Sequence, residues 1–214
     1  RIYRVAWKDA PAYTPISLSK ERPDELVNAL KNNNLFWRMH AQRLLVERGQ
    51  TDVVPALLEL LQDQSVDAVG LNVGAIHALW TLKGLGVIDS PLPVGKAARA
   101  EVITSLKHLS PAVRKNAVQV LPRTEASVKV LLDNNCLNDD EPLVVLNTIL
   151  ALSEMPLSSE VEKIVLNRLE TATEANDRWL PDAFACILTS KQAKLLKQYV
   201  GQLSQKGKEA PMHH

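Results

Sequence analysis

Five segments of this chain carry the same three-position signature. A large apolar residue is followed four positions later by a small one, and eight positions later by a large aliphatic one. The first positions are Trp37, Leu71, Val113, Val144 and Trp179. The second are Ala41, Ala75, Ala117, Thr148 and Ala183, and the third are Leu45, Leu79, Leu121, Leu152 and Ile187. Offsets of four and eight keep three side chains on one helical face, and the small middle residue lets a neighbouring helix come close. Successive copies start 34, 42, 31 and 35 residues apart. Periods of this size belong to stacked helical hairpins, each of which buries its apolar face only against the next. The long step absorbs the loop from Gly84 to Pro93. The expected fold is all-α, a right-handed α–α superhelix of about five helical hairpins.

Helix punctuation supports that count. Pro23-Asp24-Glu25 is a first turn with acids at the positive end of the helix dipole, closed by Asn32-Asn33-Asn34. A second helix is predicted over Leu35–Arg48 with Gly49 as its stop. A third begins near Thr51 and tolerates Pro55 in its opening turn, and a fourth covers Leu71 to Leu82. The fifth is placed at Lys96 to Leu109. Ser110 is read as the N-cap of the sixth, with Pro111 in its first turn and Val113, Ala117, Val120 and Leu121 on its inner face. Helices over Glu125–Asp133, from Pro142 to before Pro156, from Ser159 (with Glu162 as a capping box), over Trp179–Leu188 and over Lys191–Gln202 complete the series.

Residues 1–7, Arg-Ile-Tyr-Arg-Val-Ala-Trp, favour a strand instead, and a lone strand needs a sheet to pair with. The expected division is an extended segment at 1–19, a helical domain at 20–203 and a loose tail at 204–214. The chain opens at Arg1 without Met and closes on Met212-His213-His214. It is therefore expected to be a piece of a longer protein, ending at the edge of a purification tag.

The 214 residues are 46% hydrophobic and 23% charged, enough apolar content for a full core. Twenty-five basic and 24 acidic residues leave a net charge of +1, which gives no electrostatic case for nucleic acid or an anionic membrane. No apolar run is long enough to cross a bilayer. Cys136 and Cys186 form no Cys-x-x-Cys, so haem attachment and the usual zinc spacings are absent. The two cysteines are expected to be unpaired, one at a turn and one far along a later helix.

Val54-Pro55-Ala56-Leu57-Leu58-Glu59-Leu60-Leu61-Gln62-Asp63 and Ser110 to Leu121 resemble the first and second helices of HEAT or armadillo-type repeats. The resemblance extends over about Pro23 to Gln202. Arg1-Ile-Tyr-Arg-Val resembles the closing strand of a sorbosone- or glucose-dehydrogenase-like β-propeller. Leu35 to Arg48 and His77-Ala-Leu-Trp-Thr-Leu-Lys-Gly-Leu-Gly resemble the HEAT helices that follow such a propeller in membrane-bound-dehydrogenase-type bacterial proteins. The resemblance implies a periplasmic or secreted location. The chain departs from that family in having at most one propeller strand and no Cys-x-x-Cys-His, so the family's quinone or haem chemistry is not carried over.

Candidate functional residues follow from the repeat. Arg38 and Arg114 occupy the position after the first inward residue. In HEAT repeats such an Arg ties adjacent turns through an Asp, here Asp63 or Asp139. Asn72, Val145 and Leu180 hold the same position. His77 and Trp80 lie three apart on one helix surface and are read either as packing against the second and sixth helices or as a sticky patch. Leu146, Ile149 and Leu150 repeat that pattern on the eighth helix. Trp37 and Trp179 are expected in the core. If a binding face exists, it is placed at His77 and Trp80, with Arg38 and Arg43 beside them. His40, His77 and His108 fall in different helices without ligand spacing, and no nucleophile triad or phosphate loop stands out. No catalytic residue, metal or cofactor is expected.

The leading expectation is thus a non-catalytic scaffold that binds a protein partner or neighbouring domains of its own parent chain. The alternatives are a HEAT-like nucleic-acid-binding or DNA-repair module, which would need a basic groove, and a small-ligand-binding HEAT-like lyase.

Overall fold

The computed structural model describes residues 7–9, 15–170, 177–190, 197 and 199–201. Among these residues it is all-helical. The α-helices are α1 (Pro23–Ala29), α2 (Leu35–Arg48), α3 (Val54–Gln62), α4 (Val73–Gly84), α5 (Pro93–Ser105), α6 (Pro111–Val120), α7 (Glu125–Asp133), α8 (Pro142–Glu154), α9 (Ser159–Glu170) and α10 (Leu180–Ser190). A 3-10 turn, Cys136–Asn138, joins α7 to α8.

Most boundaries follow local chemistry. Proline sits in the first turn of α1, α3, α5, α6 and α8, where its missing N–H has no helical partner to lose. Asn34, Asn72 and Thr124 cap α2, α4 and α7 by accepting from Phe36, Ala75 and Ser127 N–H groups. Gly49 ends α2 in the left-handed region at φ 68°, the conformation that only glycine adopts without strain.

Some expected boundaries move. Helix α4 starts at Val73 rather than Leu71, because Asn72 is its cap. Helix α5 starts at Pro93 rather than Lys96, since Pro93 is its first residue. Ser110 holds the N-cap position of α6 as expected, but not through its hydroxyl, which donates to Gly70 O at 2.6 Å and ties two loops together. The cap of α9 is Ser158, which accepts from Val161 N–H, and not Ser159. Of the expected helix Lys191–Gln202, Lys197 and residues 199–201 are helical, and the rest lies outside the described residues, as does the tail at 204–214.

The helices meet in a serial order. α1 packs on α2, α3 on α4 and α5 on α6, while α7 reaches α8 through the 3-10 turn. The even helices touch in sequence, α2 to α4, α6, α8 and α10, and α3 packs on α5. The repeat explains this. Ala41, Ala75, Ala117 and Thr148 are fully buried and Ala183 nearly so, and Leu45, Leu79, Leu121, Leu152 and Ile187 are at most 3% exposed. At one crossing the backbones come closer still. A Cβ on Gly84 would lie 2.6 Å from Val46 Cγ2, so α4 rests on α2 there through hydrogen alone.

The first position of the signature behaves differently. Val113 and Val144 are buried, but Trp37 is half-buried and Trp179 is 54% exposed, contrary to the core placement expected for both. Helix α10 begins one residue after Trp179, so Leu180 takes the inward seat at 2% exposure and Arg178 stacks over the Trp179 ring at 4.7 Å. Leu71 likewise precedes its helix.

Residues 1–6 of the expected strand lie outside the described residues. Trp7 is 70% exposed. Deleting residues 1–7 is expected to leave the melting temperature within a few degrees, measured by circular dichroism. A large drop would show that this segment packs on the first hairpin.

Candidate functional site: the polar seam and apolar edge of the even helices

The position after the first inward residue has one job in three repeats. Arg38 donates to Asn32 O at 2.6 Å, Asn72 donates to Asp63 O and Ser65 O at 2.8 and 3.0 Å, and Arg114 donates to His108 O at 3.1 Å. Each side chain satisfies carbonyls of the loop just before its own helix. In the last two repeats the same position is apolar, and Val145 and Leu180 are buried. Arg114 also makes the expected tie to Asp139, with two bonds of 2.8 and 2.7 Å. Arg38 does not reach Asp63; its Nε donates to His77 Nε2 at 3.2 Å instead. The Asp63 carboxylate accepts from Ser65 N–H.

His77 and Trp80 are therefore packed as the bland alternative had it. His77 is 8% exposed, and its Nδ1 lies 2.7 Å from Gln42 Oε1 on α2. Burial, then the charge of Arg38, pushes its pKa down to about 4. The neutral ring with its proton on Nδ1 serves both contacts, donating to Gln42 and accepting from Arg38. Half-buried Trp80 donates its indole N–H to Asn116 Oδ1 on α6 at 2.7 Å. Arg43 stands apart on the exposed side of α2, beside Glu47 and His40. The four residues thus do not form one open patch.

Sequence reasoning missed the seam to which they belong. Asn116 takes the Trp80 N–H with Oδ1 and donates Nδ2 to Ala112 O. Asn147 does the same one repeat later, accepting from Gln119 and donating to Leu143 O. Both asparagines stand three residues after the first inward position, at Val113 and Val144. That shared offset was the available signal. Side-chain hydrogen bonds thereby link α2 to α4, α4 to α6 and α6 to α8. His108 adds a loop-to-loop link, its Nε2 facing Asp63 O at 2.9 Å and its Nδ1 accepting from Ser110 N–H.

The exposed apolar side chains gather elsewhere. Near the N-terminal end of each even helix stands a large one: Phe36 at 64%, Val69 at 76%, Leu109 at 69%, Leu143 at 50% and Trp179 at 54% exposure. Val69 and Leu143 share one cleft of about 330 Å³ with Pro111 and Ala112, across three repeats. On α2, Phe36 packs edge-on to Trp37 and stacks on His40, with Met39 exposed beside them. On α8, Leu150 is exposed, but Ile149, expected in the same patch, is fully buried.

Charge and chemistry elsewhere are quiet. Lys20, Arg22, Arg43, Arg48, Lys83, Arg114 and Arg123 each sit within 4.0 Å of a carboxylate, which works against a continuous positive groove. A cavity of about 740 Å³ between Pro15–Leu18 and α1 carries Arg22 and Glu25, which are paired with each other. Among the described residues no three His, Cys, Asp or Glu side chains converge as a metal site, and no helix is long and apolar enough to cross a membrane. Cys136 and Cys186 are both free, and burial pushes the Cys136 thiol up to about 11. Comparison with known proteins gives no match, either to a family model or to a curated sequence.

Proposed function

We propose that this chain is a binding scaffold, a HEAT-like right-handed α–α superhelix whose exposed edge receives a protein partner or a neighbouring domain of its parent protein. The supporting observation is that a large exposed apolar side chain stands near the start of every even helix, and that two of these, Val69 and Leu143, line one cleft. Single exposed apolar residues are ordinary, but a cleft that Val69 and Leu143 share with Pro111 and Ala112 offers a partner a continuous apolar lining. The binding residues on this reading are Phe36, Val69, Leu109, Leu143 and Trp179, with Arg43 beside Phe36. His77, Trp80 and Arg38 act behind them, by fixing how the helices sit. The parent would be a periplasmic dehydrogenase-like protein, as the HEAT and propeller-strand resemblances imply. The chain itself would do no redox chemistry.

The test separates surface from core. Tagged wild-type chain is compared with Phe36→Ser/Leu143→Ser for partner capture from its native source, with melting temperatures taken alongside. Weakened capture at an unchanged melting temperature is the expected result. Trp80→Ala is expected to behave oppositely, losing about 2–3 kcal/mol of stability, somewhat below the cost for a fully buried Trp. Unimpaired capture by the double variant, or sugar oxidation by this chain with an artificial electron acceptor, would sink the reading.

A further inference from the structure

The contact between α2 and α4 has two unlike ends. Toward the C-termini, Gly84 sits directly on Val46, with no room for even a Cβ. Ala41, Leu45, Ala75 and Leu79 are buried along these helices. Toward the N-termini the contact is polar and turns on one ring: Arg38 Nε donates to His77 Nε2, and His77 Nδ1 meets Gln42 Oε1. We propose that this end is a pH-sensitive joint, at which proton uptake by His77 frees the N-terminal hairpin α1–α2 from α4.

The geometry carries the sign. A proton added to the neutral ring goes to Nε2, the atom that accepts from Arg38. The hydrogen bond is replaced by two N–H groups facing each other, on two cations, inside a contact where water is largely excluded. Gln42 supplies only a carbonyl oxygen and no charge. From the other elements packed on α4, the charged groups are engaged elsewhere or do not act on His77. At the end of α3, Asp63 is held by Ser65 and interacts with His108. No hydrogen bond or ion pair joins Glu59 of α3 or Lys115 of α6 to His77 among the described residues, Lys31 after α1 lays only its aliphatic stem against Gly74, and Arg114 of α6 is locked by Asp139 and Asp140. Among the described residues Arg38 is thus the one charge acting on the ring. Among the described residues no carboxylate is placed to stabilise the imidazolium, so the charged ring favours states in which α2 and α4 separate.

The depressed folded-state pKa agrees in direction. A group held neutral in the closed state favours closure above its free pKa of about 6.5. That preference is lost as pH falls toward about 4. At pH 5 the opening equilibrium should exceed its value at pH 7.5 by about 30-fold.

Hydrogen–deuterium exchange of the full chain tests this, with rates corrected for intrinsic pH dependence. Peptides covering residues 23–48 should lose protection by about that factor between pH 7.5 and 5, while peptides of α8 hold theirs. His77→Gln, which keeps a donor and an acceptor but cannot charge, should abolish the difference. In parallel, an NMR titration of His77 should give a pKa well below 6.5 that rises in Arg38→Gln. This measurement stands even if His77→Gln folds poorly. Equal loss of protection in α2 and α8, the same loss in His77→Gln, or an ordinary His77 pKa unmoved by Arg38→Gln would overturn the joint.

Discussion

Truncating Leu79 to Ala is expected to cost about 2–5 kcal/mol and to lower the melting temperature by about 5–15 °C. Leu79 is the third residue of the signature in α4, and it is 0% exposed. Helix α4 touches α2, α3 and α6 at once, so the cavity opens between several helices that are also held by hydrogen bonds. The Trp80–Asn116 and Arg38–His77 bonds keep α4 at its distance from α6 and α2 and limit how far the site can collapse. Limited collapse places the cost toward the upper half of the range. Equilibrium denaturation followed by circular dichroism measures it. A loss below about 1 kcal/mol would mean that the stack closes over the missing side chain. The serial contacts add a second expectation: proteolysis of this variant should cut first within α3–α5, because helices that pack mainly on their near neighbours can open locally.

How far the sequence carries is visible in single positions. The second and third residues of the signature predicted burial correctly in all five helices, because spacing of four along a helix leaves no choice of face. Its first residue did not, since that position lies at a helix start, where one residue of shift in the cap turns a side chain outward. Trp179 fell on the wrong side of that shift, Leu71 lies two residues before its helix and is half-buried, and Val113 and Val144 are buried as expected. The α2 boundaries, by contrast, were fixed by Asn34 and Gly49, whose chemistry admits little else. Serine caps were ambiguous because a hydroxyl serves any nearby donor or acceptor. Ser110 went to the carbonyl of Gly70, 40 residues away, which no local pattern encodes. The same limit hid the seam. Asn116 and Asn147 read as ordinary polar residues in a helix until Trp80 and Gln119 are placed opposite them. Arg38 looked equivalent to Arg114, but no acid faces it, and a histidine does.

The Arg114–Asp139 tie should be the most sensitive polar contact among the described residues. The two side chains are 13% and 11% exposed, and the guanidinium meets the carboxylate through two parallel bonds. Arg114 also donates to His108 O, and Asp139 accepts from Glu141 N–H, so the pair joins the loop before α6 to the start of α8. Arg114→Met is expected to cost about 3–5 kcal/mol, because it leaves a largely buried carboxylate without its partner. Asp140 is 92% exposed, so its own bond to Arg114 contributes little. The double variant Arg114→Met/Asp139→Leu should recover much of the loss, since removing both charges also removes the burial penalty. The pH dependence has a definite sign. Burial raises the Asp139 pKa, but the bonds from Arg114 and Glu141 N–H outweigh it and hold the carboxyl net below its usual value. A depressed folded-state pKa means that the contribution is fully present above about pH 4 and disappears as pH falls through the folded value. Between pH 7 and 5 this pair should therefore add no slope to the stability, whereas the slope expected from His77 falls in that window. Denaturant unfolding of wild type, single and double variants at pH 7, 5 and 3 separates the two. If Arg114→Met costs less than about 1 kcal/mol at pH 7, or costs as much at pH 3 as at pH 7, the tie is not what holds α8 against α6.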